Sequence, residues 1–416
     1  MVRVSRNVVG GVAAVIAMLV HTSAVHSDAE PRRVAETSVA SQANARSHIE
    51  VMQIRPPVGD ARFHGHIDLD RATLRFGRYT VDVGGRAVTL TLDPRLQQAA
   101  EAILRRAKAP MAAAVVLDMD GKILALAGRR NIAPAKSRDF TLPLKVWAPA
   151  ASVFKIVTGA ALIDAGVKPK NKVCYHGGRR SVRKSNLTDS KRDRQCDSLS
   201  YALAKSQNAI IAKLVHRHLR PDVVRDYAER FGFSKPPKFG LALNESTCKV
   251  PTAPLALARM AAGFWSSRLS PLQGALIAHT VASGGLAVRP QIVSRVEDAH
   301  GGTHLVQPAP SRRVLRAATA RTLTKMLTGT TEFGSAVKGF RDRRGRKFLP
   351  GVKVAGKTGT LSVRKPTYMQ YSWFVGYAPA RAPKVTVAVL LGNGRQWHLK
   401  AHTAARMLLQ KALRTR

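Results

Sequence analysis

The sequence predicts an α+β fold: an antiparallel sheet flanked by helices, facing an all-helical lobe across a cleft. Two observations lead there, and a third places the site. β-compatible runs lie at both ends of the folded part, Ala113 to Leu117 and Ile123 to Ala127 early, then Val352 to Gly359, Tyr371 to Tyr377 and Val385 to Leu391 late. The stretch between them is mostly apolar runs of helical length, so one sheet must be assembled from distant segments, with helices packed on it. Polar triplets interrupt otherwise apolar segments in the middle and late parts, and a cleft between lobe and sheet is where such groups find solvent.

In chain order, Arg3 and Arg6 precede an apolar run from Val8 to Val20, with small and polar residues around Ser23, Ala24 and Ser27. A run this short suits a signal peptide better than a membrane span, which needs about 20 residues. Residues 1–27 are therefore expected to be a leader, or else an uncleaved membrane anchor, and both address the body outside the cytoplasm. Residues 28–87 read as a linker and a small β-rich segment near Thr73 to Val83, and the catalytic domain is expected over 88–416. Asp93 and Pro94 have the residue types of an N-cap and first helical position for a helix from Pro94 to Ala107. The Asp118-Met119-Asp120-Gly121 turn joins the two early β-runs as a hairpin. Leu255 to Phe264 and Leu276 to Ala282 read as packed helices, and Ala401 to Leu413 as a closing helix.

The stretch Pro149 to Gly166, PAASVFKIVTGAALIDAG, carries the chemistry. Val153 to Leu162 is apolar on almost every side, the pattern of a buried helix, with Gly166 past its end. Ser152 and Lys155 stand at i and i+3, over one face and one turn apart. Burial disfavours the ammonium, so Lys155 becomes a base for the Ser152 hydroxyl, and the free N–H groups of the first turn offer a site for negative charge. The same SxxK spacing at Ser181/Lys184, Ser246/Lys249 and Ser362/Lys365 has no apolar helix behind it. Ser152 alone could equally be an N-cap, with Lys155 reaching water.

Ser206-Gln207-Asn208 separates two apolar helical halves, Leu199 to Ala204 and Ala209 to Val215, and reads either as a corner pointing into a cleft or as a simple turn. Lys357-Thr358-Gly359-Thr360 ends a late β-run, where glycine lets another backbone approach and the lysine and hydroxyls suit a carboxylate. Cys174 and Cys196 flank a basic insertion, Gly177 to Arg194, which they would close as a disulfide in an oxidising compartment, leaving Cys248 over. No spaced Cys or His pairs suggest a metal, and no cofactor is expected.

SxxK, SxN and KTG in this order resemble the penicillin-binding protein transpeptidase family, within the serine D,D-peptidase and β-lactamase-like superfamily. LTLDPRLQQAAE from Leu90, VVLDMDGKILALAG from Val115, SPLQGALIAHTVASGG from Ser270 and WFVGYAPARAPKVTVAVL from Trp373 look like stretches of the same domain. The resemblance implies that Ser152 attacks the carbonyl of a D-Ala-D-Ala stem, with Lys155 as its base. It also implies that Ser206 relays a proton to the leaving amine and that Asn208 holds the substrate amide and Lys155. Lys357, Thr358 and Thr360 would bind the terminal carboxylate, and the N–H groups of Ser152 and Thr360 would form the oxyanion hole. A second amine then takes the acyl group, which cross-links peptidoglycan, and β-lactams acylate the same serine.

The sequence departs from relatives in placing Ala150-Ala151 where Pro-Gly usually precedes the nucleophile. It also has too short a region before the domain for a glycosyltransferase module. The alternatives are a D,D-carboxypeptidase or β-lactamase with water as acceptor, and a non-catalytic wall-binding scaffold or sensor. The formal charge of +43, from 68 Lys plus Arg against 25 Asp plus Glu, favours anionic surroundings. No motif for reading nucleic acid is present, and the charge alone does not choose between anionic lipid, an acidic polymer and a solvated basic surface; an anionic cell-wall polymer is the partner that fits the resemblance.

Overall fold

The computed structural model describes residues 59–131, 136–178, 181–298, 300–364 and 368–415. The leader or anchor expected over 1–27, and Lys365 of one SxxK repeat, lie outside the described residues.

Helix α1 (Pro94–Ala107) starts as its residues dictate. The Asp93 carboxylate accepts from Leu96 N at 2.9 Å, and Pro94 fills a first-turn position that needs no donor. Strands β1 (Met111–Asp118) and β2 (Ile123–Asn131) form the expected hairpin, and β3 (Lys136–Arg138) extends it. The helical middle follows, with α2 (Lys155–Asp164), α3 (Leu199–Lys205), α4 (Asn208–His218), α5 (Pro221–Arg230), α6 (Pro254–Ala261), α7 (Pro271–Ala282) and α8 (Ala317–Glu332). Strands β4 (Ala355–Val363), β5 (Met369–Ala378) and β6 (Val385–Asn393) and the closing helix α9 (Ala401–Arg414) end the chain.

These six strands make one antiparallel sheet in the order β4-β5-β6-β1-β2-β3, so early and late segments meet at the β6-β1 pair. Both faces of its middle are covered, which is why β1 and β6 read as near-continuous apolar runs and not as alternation. Ala114, Val116, Phe374, Val387 and Val389 pack with α1 and α9 on one face. Val115, Leu117, Trp373, Val375, Ala388 and Leu390 face α7 and the helical lobe, whose centre is α2.

The boundary expected at residue 88 is corrected. Thr73–Arg75, Arg78–Val83 and Arg86–Leu90 form a second antiparallel sheet with Val293–Glu297 and Thr303–Leu305, and Thr80 pairs with Thr89 across the proposed division. The reason is hydrogen bonding that no periodicity reveals. The buried Asp60 carboxylate accepts from the N–H groups of Gly240 (2.6 Å), Ile292 (3.0 Å) and Val293 (2.6 Å), tying residues 60–83 to segments far along the chain. Among the described residues, no helix is long and apolar enough to cross a membrane.

The insertion between the cysteines has its own anchor. Lys172–Tyr175 and Gln195–Ser198 pair as a ribbon in which Cys174 and Cys196 stand opposite, joined by a disulfide. Cys248 is free, and burial pushes its thiol up to about 12.

Candidate active site

Ser152 sits in a 3-10 turn, Ala151–Phe154, that runs into α2 at Lys155, and not in the first turn of an α-helix as its spacing suggested. It caps nothing. The turn is forced by Ala151, whose φ of +49° reverses the chain just before the serine. Behind it, Gly263 has a φ of +90°, and a Cβ there would lie 2.4 Å from the Ala151 carbonyl oxygen, so only glycine lets these two backbones pass.

The Lys155 side chain is fully buried, and its Nζ lies 2.7 Å from Ser152 Oγ. It donates to Asn208 Oδ1 at 2.6 Å and to the Ala262 carbonyl at 2.8 Å, and it lies 3.3 Å from Ser206 Oγ. The carbonyls of Ala261 and Ala262 are at the end of α6, where backbone acceptors lack helical partners; the Thr158 hydroxyl takes the first at 2.7 Å. Burial, and then the nearby Lys357 charge, hold the Lys155 ammonium well below the usual lysine range. A neutral amine has two N–H groups and one lone pair. Asn208 Oδ1 and the Ala262 oxygen, both acceptors only, take the two hydrogens, which leaves the lone pair for the Ser152 hydroxyl.

The sequence placed Ser206-Gln207-Asn208 either at a corner or in a simple turn. It is the corner: Ser206 takes a φ of +60° between α3 and α4, and Gln207 caps α4 by accepting from Ala209 N at 3.2 Å. Lys357 comes from the opposite side, on β4. It too is fully buried, donates to Ser206 Oγ at 3.0 Å and to the Thr358 carbonyl at 2.9 Å, and is pushed down to about 7 by that burial. Ser206 thus stands between two lysine nitrogens.

Gly359 is placed by the strand register opposite Trp373, whose indole N–H donates to the Pro149 carbonyl at 2.9 Å, fixing β5 to the turn before the serine. A Cβ at Gly359 would lie 3.4 Å from Ser152 N, so β4 runs close beside the nucleophile turn. Thr360 is exposed and Thr358 half-buried. Ser152, Lys155, Ser206, Asn208 and Lys357 are therefore linked by hydrogen bonds, Gly359 lies against the nucleophile turn, and Thr358 and Thr360 flank it on β4. The disulfide lies outside that hydrogen-bonded set, while the insertion it closes packs on α4: a Cβ at Gly178 would lie 2.4 Å from the Cβ of Ala209, beside Asn208.

Sequence reasoning missed the Ala262 carbonyl, which no side-chain pattern reveals. It also missed Ser335, whose hydroxyl lies 2.5 Å from that of Thr358. The volumes of about 890 Å³ beside Thr324 and Lys353 and about 500 Å³ between α1 and α9 are lined by none of the motif residues.

Residues 112–410 match the family model of the penicillin binding protein transpeptidase domain. The peptidoglycan D,D-transpeptidase PbpA of Mycolicibacterium smegmatis is 28% identical over 352 residues, covering 75% of this chain and 68% of that one. The penicillin-binding protein PbpB of Mycobacterium tuberculosis is 26% identical over 75% of this chain and 49% of its own. Among solved structures, PBPA from Mycobacterium tuberculosis superposes with a TM-score of 0.64 at 27% identity, covering 78% of this chain and 80% of that one. Its ceftriaxone acyl-enzyme complex gives 0.65 at 26% identity, with 78% and 80% covered. The motif order, the sheet built from both ends of the chain and the family match agree, and the chain belongs to the penicillin-binding protein transpeptidase domain family.

Proposed function

We propose that this protein is a serine D,D-transpeptidase that forms an acyl-enzyme on Ser152 with D-Ala-D-Ala stems and cross-links peptidoglycan outside the cytoplasm. One observation carries the reading: Lys155 Nζ reaches Ser152, Ser206 and Asn208 together, while Lys357 reaches Ser206 from the other side. Neutral Lys155 takes the Ser152 proton as Oγ attacks the carbonyl of the penultimate D-Ala. The N–H groups of Ser152 and Thr360 receive the developing oxyanion. The chain Lys155–Ser206–Lys357 passes a proton to the departing D-Ala amine. Asn208 holds Lys155 and the substrate amide, and Lys357, Thr358 and Thr360 hold the terminal carboxylate. An amine of a second stem then attacks the ester, restoring Ser152.

A β-lactam stops the same sequence at its first half, a reading supported by the likeness to PBPA of Mycobacterium tuberculosis, which forms acyl-enzyme complexes with ceftriaxone, imipenem and penicillin G. The reading of an amine, and not water, as acceptor is supported by the likeness to relatives named peptidoglycan D,D-transpeptidase. The test is labelling with a fluorescent penicillin. Wild type should give a stable adduct at Ser152, and Ser152→Ala should give none while keeping its thermal transition; an adduct that persists in a folded Ser152→Ala refutes the assignment.

A further inference from the structure

Ser335 lies outside the three motifs, in the short connection after α8, yet it is fixed between two of them. Its N–H donates to the Ala204 carbonyl at 2.9 Å, two residues before Ser206. A Cβ on the preceding Gly334 would lie 2.3 Å from that same Ala204 oxygen, so the connection is pressed against the end of α3. Ala336 N donates to the Thr330 carbonyl at 2.9 Å, which closes the connection onto α8 from the other side. From this fixed backbone the Ser335 hydroxyl reaches Thr358 Oγ1 at 2.5 Å.

A hydroxyl has one proton and two lone pairs. In a pair of hydroxyls, one proton is used between them and the other is left to point elsewhere. A carboxylate is an acceptor only, so it selects the arrangement in which Ser335 donates to Thr358 and Thr358 donates to the carboxylate. Both protons are then in use, and the Thr358 hydroxyl is held in the direction the anion needs.

We infer that Ser335 is a positioning residue for recognition of the substrate's terminal carboxylate, acting through Thr358. This rests on the carboxylate role given to Thr358 in the proposed function, and it adds a contact from the connection after α8 to a site otherwise built from α2, the α3–α4 corner and β4. Ser335 touches neither the reacting carbonyl nor Lys155, so its effect is confined to substrates that carry the charge.

The test compares acylation of Ser152 by benzylpenicillin and by the methyl ester of benzylpenicillin, in wild type, Ser335→Ala, Ser335→Val and Ser335→Thr. Loss of one hydrogen bond supporting a charged group predicts an acylation rate constant for benzylpenicillin about five- to tenfold lower in Ser335→Ala and Ser335→Val. The ester, which lacks the anion, should react with these variants at the wild-type rate. Ser335→Thr, which has the shape of Val but keeps the hydroxyl, should restore benzylpenicillin acylation. Equal losses with both reagents, or no loss with either, overturn the inference, as does a Thr variant no better than Val. Failure of wild type to be acylated would instead remove the proposed function itself, so the two failures are distinguishable.

Discussion

Ala151 holds the left-handed conformation at the turn before the nucleophile, where an L-residue is disfavoured by about 1–2 kcal/mol. Ala151→Gly removes that strain. It also deletes a buried methyl, at about 0.8 kcal/mol, and frees the unfolded chain by about 0.5–1 kcal/mol. Gain and losses nearly cancel, so the variant should be within about 1 kcal/mol of wild type. Ala160 is equally buried but lies inside α2 with no strain to relieve, and there the two losses add to about 1.5 kcal/mol. Urea unfolding of the two variants checks this, and a penalty at 151 as large as at 160 would show that the positive φ carries no strain. The substitution of Ala150-Ala151 for the Pro-Gly usual in relatives was visible in the sequence. That the second alanine is the residue left to adopt the reversed φ was not, because backbone direction follows from Gly263 and β4 closing on the turn from distant segments.

At the scale of elements, the basic insertion is attached to α4 by a buried ionic cluster. Lys213 is fully buried, donates to the Cys174 carbonyl at 2.8 Å and pairs with Asp193 Oδ2 at 2.5 Å, while His176 Nδ1 lies 2.6 Å from the other oxygen of that carboxylate. Burial would raise the Asp193 carboxyl, but hydrogen bonds from His176, Lys213 and the Ser190 N–H, with the Lys213 charge, hold it below the usual carboxylate range. Removing one member of such a pair leaves the other buried without its counter-charge, so Lys213→Met should destabilise by about 3 kcal/mol. Arg220 and Asp222 form a similarly short pair at 2.6 Å in open solvent, where water screens the charges, and Arg220→Met should leave the unfolding transition essentially where it is. Thermal unfolding of both variants separates these cases, and equal effects would mean that the cluster does not hold the insertion.

The elements themselves were largely legible. The helix from Pro94, the Asp118–Gly121 hairpin and the three late strands all show their signals in local residue types, whereas the residues at Ser206 left a corner and a simple turn open. Lys213 was not legible, since a lysine in AIIAKLVHRH reads as a side chain reaching water until Asp193 is brought over it. The β-rich segment near Thr73 to Val83 was legible, but the pairing of its sheet with Val293–Glu297 was not, because Asp60 acts through backbone donors at Gly240, Ile292 and Val293.

For the whole molecule, the site exists because β4, from the end of the chain, lies beside α2 from its first half, placing two lysine amines on one serine hydroxyl. No local window of sequence contains that meeting; only the order of three triplets hinted at it. The same meeting makes folding depend on pH. In the unfolded chain both lysines have pKa values near 10.4. Folding lowers Lys357 to about 7, and lowers Lys155 well below its ordinary value, through burial and then repulsion from Lys357. Between about 7 and the unfolded value, the unfolded chain therefore binds a proton that the folded Lys357 does not, and stability rises with pH across that window. Below about 7 Lys357 is protonated in both states and its slope vanishes, with the full penalty of a buried charge retained.

The difference between wild type and Lys357→Met isolates the buried group. Urea midpoints measured from pH 6 to 9.5 should rise more steeply in wild type, by up to about 1.4 kcal/mol per pH unit above pH 7, with the two slopes merging below it. Parallel curves over the whole range would mean that Lys357 keeps its ordinary affinity for a proton in the folded protein.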